Sequence, residues 1–314
     1  MIKYVRDPRP FRKALAMSSM SRRKMLQGTL AGTALASGAA MTGSPLAWAQ
    51  DKPAATGPAT PRKGNIKQSV SRWCYPKMTL DELCAYGVQI GLKGVDLLEP
   101  ADFEVPKRYG LLCTMGYVEG GTIPDALNVL ANHDKIEAGL RKNIPLAAKA
   151  GVPNVITFSG NRRGMSDEEG AKNVIIGLNR MKKIAEDNNV VLNLELLNSK
   201  VNHKDYMADH TAWGVAVMKE VNSPHVKLLY DIYHMQIMEG DLIATIQANI
   251  QWLGHFHTGG VPGRHELNNT QEVQWDGVMR GIIASGYQGY VAHEFVPTGD
   301  PKASLLQAVD LCDV

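Results

Sequence analysis

The sequence predicts an α/β protein, a single (β/α)8 barrel preceded by an export signal. Three observations lead there. From about Ile66 onward, eight short apolar runs alternate with longer amphipathic stretches, the pattern of a closed parallel barrel with helices outside. No G-x-G-x-x-G follows the first run, which disfavours the open doubly wound sheet. The first 49 residues differ in character from the rest: they carry eight Lys/Arg against one acid, Asp7, a net of +7, whereas the remainder holds 26 basic and 30 acidic residues, a net of −4.

Residues 1–49 read as a signal peptide of the twin-arginine type. "SRRKML" supplies the basic region with Arg22-Arg23, "QGTLAGTALASGAAMTG" a weakly apolar one, and Ala47 and Ala49 flank Trp48 as a small-x-small cleavage site. Cleavage is expected after Ala49, with export to the periplasm through the twin-arginine machinery. The apolar stretch is too broken by Gly and polar residues to span a bilayer, so no stable membrane anchor is expected. Residues 50–65, rich in Pro, Ala and Gly, read as a flexible linker.

The domain proper is expected over 66–314. Its runs, in order, are "IKQSVSRW", "GVDLLEP", "YGLLCTMGY", "NVITFSG", "VVLNLELLN", "VKLLYDIYH", "WLGHFHTGG" and "GYVAHEF". Helices between them have start signals: Thr79 to Glu82 and Ser166 to Glu169 each fit a capping box. Pro145, inside "DKIEAGLRKNIPLAAKAG", predicts a kink or break. The four cysteines show no C-x-x-C pair and read as buried free thiols. A mildly acidic body argues against a nucleic-acid partner. A homo-oligomer is compatible with the sequence.

In such a barrel the chemistry sits at the C-terminal ends of the strands. The last four runs each end in a metal-capable side chain: Glu195, Asp231, His257 and Glu294, about one βα unit apart. Three carboxylates and an imidazole suit one hard divalent ion, Mn2+ or Mg2+ before Co2+ or Zn2+. An ion so held leaves positions for a substrate's adjacent oxygens and polarises a carbonyl. Glu195 and Glu294, from strands well apart, are placed to remove and return a proton on the neighbouring carbon.

The motifs "NLELLN", "YDIYHMQIMEGD", "GHFHTGGVPGRHE" and "HEFVPTGD" resemble the hydroxypyruvate isomerase branch of the xylose-isomerase-like TIM barrels, whose relatives include ketose 3-epimerases, inosose dehydratases and abasic-site endonucleases. The resemblance covers roughly Ile66 to Val314 and is stronger in the second half. It implies one divalent metal on Glu195, Asp231, His257 and Glu294, with the two glutamates as the acid/base pair. It also implies substrate contacts from His234 and Arg264. The endonucleases' extra histidines from early strands are missing here.

The remaining polar residues are weighed one by one. His255, two before His257, shares its strand face and should lie one layer deeper as support. His293 should point away from the mouth. Asn198 reads either as a substrate contact or as a helix cap. Glu266 pairs with Arg264 or His234, or is solvated. His203 and His210 belong to a lid or to an ordinary loop, and His265 has no assigned role. The expected activity is isomerisation or epimerisation of a sugar or hydroxy-keto-acid through an enediolate stabilised by the ion. The alternatives are a keto-sugar dehydratase on the same site and a non-catalytic sugar-binding barrel.

Overall fold

The computed structural model describes residues 61–314; the expected leader and the linker as far as residue 60 lie outside the described residues. Eight parallel strands close a barrel in sequence order: β1 (Lys67–Ser71), β2 (Gly94–Leu98), β3 (Leu112–Gly116), β4 (Asn154–Thr157), β5 (Val191–Leu196), β6 (Val226–Asp231), β7 (Leu253–Thr258) and β8 (Tyr290–His293), with β8 pairing back to β1. The eight apolar runs each contain one strand. Helices α1 (Leu80–Gln89), α2 (His133–Ala150), α3 (Asp167–Asp187), α4 (Thr211–Val221), α5 (Ile232–Met238), α6 (Leu242–Asn249), α7 (Trp275–Ala284) and α8 (Pro301–Leu311) fill the crossovers. The β2–β3 crossover is made instead of two short 3-10 turns, each opened by a proline, Pro100 and Pro106. Among the described residues no helix is long and apolar enough to cross a membrane.

Local signals act as their chemistry requires. Thr79 and Glu82 form both bonds of the capping box at α1, at 3.1 and 2.7 Å, while Ser166 supplies only its own half at α3. The helix α2 runs unbroken through Pro145, so of the expected kink or break the break does not occur. Pro145 and Arg141, whose carbonyl loses its partner, are both exposed, so the missing bond falls on the solvent side of the helix. Buried Ile144 and Ala147 hold the helix to the sheet on its other face. All four cysteines are buried and unpaired. Residues at the end of the expected linker are fixed to the barrel: Arg62 donates to the Ile90 carbonyl at 2.8 Å and Asn65 to that of Val314 at 2.8 Å.

The main hydrophobic core lies between sheet and helices, where the buried faces of α2, α3 and α4 meet Val155, Leu192, Leu194 and Leu228. A second, small cluster of Leu97, Met115, Ile156 and Leu229 packs with Tyr117 and Phe158. The strand β2 is bulged around it: its register to β3 shifts on both sides of Asp96, and Leu97 takes φ 57°. Neighbouring residues on a flat strand point to opposite faces. The bulge turns both Asp96 and Leu97 inward, a device common beside active sites.

Candidate metal centre and active site

Strand pairing brings the four expected ligands together. Asp231, the last residue of β6, stands in register with His257 on β7. The Glu294 amide, just past β8, donates to the Thr258 carbonyl at 3.0 Å. Glu195 is the penultimate residue of β5. One donor atom from each of the four lies within 4.8 Å of the other three, and all four residues are buried. His257 Nδ1 sits 2.5 Å from Glu294 Oε2, 3.4 Å from Glu195 Oε1 and 3.8 Å from Asp231 Oδ2, yet is aligned for a hydrogen bond with none of them. Burial alone would lower the His257 imidazole, but the surrounding carboxylates, Glu294 first, hold it well above its ordinary pKa, so the ring carries the charge that a bound ion would replace. An imidazole and three carboxylates converging in a buried space are a donor set that fits one hard divalent ion.

The electrostatics match that crowding. Burial, with the Glu294 charge beside it, pushes the Glu195 carboxyl up to about 7. Burial alone would also raise Glu294, but the charges of Arg264 and His257 outweigh it and hold Glu294 at about 2. Burial raises Asp231 despite the neighbouring Arg264.

Sequence reasoning missed Asp96. This fully buried carboxylate receives the Thr114 hydroxyl at 2.6 Å on Oδ1, and its Oδ2 lies 2.8 Å from His257 Nε2. Because Asp96 holds a proton on Nε2, Nδ1 is the nitrogen that would be freed to meet an ion among the carboxylates. His255 lies where expected, buried, with Nε2 3.2 Å from Asp96 Oδ1. The only signal was one acid inside an apolar run, "GVDLLEP", and the bulge that aims it inward is not readable from period-two alternation.

Arg264 reaches into the cluster itself. Its Nη2 lies 2.6 Å from Asp231 Oδ2 and also pairs with Glu294 Oε2, while Nε donates to the Glu294 carbonyl at 2.9 Å. Arg264 takes φ 58° after Gly263, and this left-handed turn folds the side chain back over the mouth. His234 is buried at the first turn of α5, where Asp231 caps its backbone amide at 3.1 Å. Its Nδ1 lies 3.1 Å from the Asn198 amide nitrogen and 2.6 Å from Asn198 Nδ2, and its Nε2 lies 2.6 Å from Arg264 Nη1, a group that can only donate. Asn198 and Arg264 thus fix the His234 ring from both sides.

Two expected substrate contacts are placed elsewhere. Asn198 is fully buried and does not face the pocket; its Oδ1 receives the Val201 and Asn202 amides at 3.0 and 2.9 Å, so its role is to set the His234 ring. Glu266 pairs with neither Arg264 nor His234. It turns outward and ties down the loop before α8 through Thr298, Gly299 and Ser304, at 2.7 to 3.0 Å. His210 pairs with Asp209 at 2.8 Å, away from the site, whereas His203 lines the pocket beside His234. His293 bonds Gln68 at 2.8 Å and contributes nothing to the mouth.

The pocket above the cluster measures about 440 Å³. Glu195, Glu294, His234 and Arg264 line it together with Trp73, Leu97, Tyr117, Ile156 and Phe158. Trp73, at the end of the first run and also missed, donates its indole N–H to Glu294 Oε1 at 2.5 Å.

The sequence profile of the xylose isomerase-like TIM barrel family matches residues 107–312. The chain belongs to this family. Within it, the chain is 25% identical to the hydroxypyruvate isomerase of Escherichia coli K12 over 231 residues, 69% of this chain and 88% of that one. It is 34% identical to the D-psicose 3-epimerase of Agrobacterium fabrum over 128 residues, 39% of this chain and 41% of the other. The mouse and human relatives it matches are covered over 62% of their length. Among solved structures, the apo 3-keto-D-glucoside 4-epimerase of E. coli superposes with a TM-score of 0.67 at 20% identity, over 78% of this chain and 97% of that one, a likeness of fold. The relatives it matches are named as isomerases and epimerases.

Proposed function

We propose that the protein is a divalent-metal-dependent isomerase or epimerase of a sugar or hydroxy-keto-acid, with Glu195 and Glu294 as the proton-transfer pair. The observation that carries this reading is their convergence: both line one pocket, and both have an oxygen in the four-residue donor cluster. Glu195, Asp231, His257 and Glu294 would hold Mn2+ or Mg2+, with Co2+ or Zn2+ as substitutes. When bound, the ion polarises the substrate carbonyl and fixes its neighbouring oxygen.

The residues supply the rest. One glutamate takes the proton from the carbon beside the carbonyl, and its electron pair moves into an enediolate. The other glutamate, or the same one, returns a proton to the adjacent carbon or to the opposite face. The Arg264 guanidinium, steadied by His234, stabilises negative charge on the substrate oxygens. Apolar side chains on the facing wall keep water from the carbanion.

The test is exchange of α-hydrogen for deuterium, followed by NMR, over a panel of ketoses and hydroxy-keto-acids with the metal-loaded protein. Incorporation is expected, together with a loss of at least about 10³-fold in the Glu195→Gln and Glu294→Gln variants. No incorporation across the panel refutes the reading, and an ultraviolet-absorbing unsaturated product would make the enzyme a dehydratase.

We also propose export through Arg22-Arg23, on the basis of the leader's composition alone. Lysine at both positions should leave the full-length precursor in the cytoplasm; undiminished release of the mature form would refute it.

A further inference from the structure

The site pocket does not end at its apolar wall. A second cavity of about 430 Å³ adjoins it and shares Tyr117, Ile123, Ile156 and Phe158 as lining. At about 30 Å³ per water, the site pocket alone has the space of some fifteen waters, several times what a three-carbon keto acid displaces. Together the two have the capacity of sites that enclose much larger ligands.

The chemistry of the second cavity is specific. The lining it shares is aromatic and aliphatic, and the rest includes Glu99, the hydroxyl-bearing Thr122 and Thr157, and Glu119, whose carboxylate pairs with Lys142 at 2.6 Å. The Tyr117 hydroxyl makes no hydrogen bond among the described residues and is free for a ligand. A sugar ring presents C–H faces suited to the first surface and hydroxyl donors suited to the second. The cavity is also preformed. A Cβ on Gly120, at φ 110°, would lie 2.7 Å from the Ile136 Cα, and one on Gly139 would lie 2.0 Å from the Glu119 carbonyl oxygen. The β3–α2 loop is therefore pressed directly onto α2, which fixes the cavity wall in place.

We propose that this second cavity is a subsite for a second sugar ring, so that the natural substrate is a keto-sugar in glycosidic linkage. The proposal rests on the isomerase reading for the reacting ring, which sits over Glu195 and Glu294. The distal ring lies across Tyr117 and Phe158 and directs hydroxyls to Glu99 and Thr122.

The experiment compares fructose with glucosyl-fructose disaccharides that retain a free ketose end, α- and β-linked, on the Mn2+-loaded protein. Affinity is read by calorimetry and α-deuterium incorporation by NMR. At least one disaccharide is expected to bind ten times or more tightly than fructose. Glu99→Ala, at an exposed position, and Thr122→Trp, which fills the cavity, should each bring that ratio toward one. Equal affinities, or a ratio indifferent to both variants, overturn the subsite. Tight disaccharide binding with no deuterium in either sugar leaves the subsite standing and removes the proton-transfer reading. Deuterium in fructose without a disaccharide advantage does the reverse.

Discussion

The Arg264 guanidinium lies 2.6 Å from Asp231 Oδ2, inside the group of acids that the fold gathers for a cation. A protein side chain thereby holds part of the charge that a metal would otherwise neutralise, and the two compete for Asp231 and Glu294. Arg264→Leu is expected to bind Mn2+ about tenfold more tightly in calorimetric titration, roughly 1.4 kcal/mol. Unchanged or weaker binding would show that the guanidinium does not compete.

Asp96 acts one bond removed from the ligands. Asp96→Asn keeps the shape but no longer compels the proton onto His257 Nε2, so part of the population presents the wrong nitrogen. Metal affinity should fall about 10- to 100-fold, with the far-ultraviolet circular dichroism unchanged. Wild-type affinity in this variant would remove Asp96 from the machinery.

Glu266 gives a pH-dependent stability. Burial alone would raise its carboxyl, but bonds from the Gly299 and Thr298 amides outweigh it and lower it from 4.5 to about 2. A carboxyl lowered on folding stabilises the fold above its unfolded value, and that stabilisation is lost as pH falls from about 4.5 through about 2. Glu266→Gln should cost on the order of 1 kcal/mol at pH 7, and the gap to wild type should close by pH 2. Thermal melts at the two values check this; a constant gap is the contrary result.

Gly139 reverses a familiar trend. Glycine to alanine inside a helix ordinarily stabilises by about 1 kcal/mol, but here the new Cβ would lie 2.0 Å from the Glu119 carbonyl oxygen. Gly139→Ala should therefore destabilise by about 1–3 kcal/mol in urea titration. A gain in stability would mean that the β3–α2 loop yields freely.

The four clustered donors were legible because strand ends are where pattern and place coincide: an acid or histidine late in an apolar run stands near the mouth. Asp96 was hidden by the bulge, which breaks the alternation that sequence reading relies on. Glu266 was misplaced for a related reason. It stands two residues from Arg264, and the left-handed turn at Arg264 sends one side chain inward and the other out. Asn198 was read as one of two things, and the structure makes it a third, the support of His234. Trp73 had no sequence signal beyond ending a strand run, because its contact with Glu294 spans the closure between β1 and β8.

The division of the pocket has a consequence for how such an enzyme changes over time. The donor cluster stands at the ends of β5 to β8, and the adjoining cavity is lined by residues at and after β2 to β4. Contacts that tie the two halves together include Asp96 to His257 and His255, Trp73 to Glu294, and Gln68 to His293. On the proposed function, a lineage can remodel the front half and acquire new diets while the donor cluster stays intact, provided those ties are kept. Gene fusion or recombination near the middle of the chain would exchange appetite without exchanging chemistry.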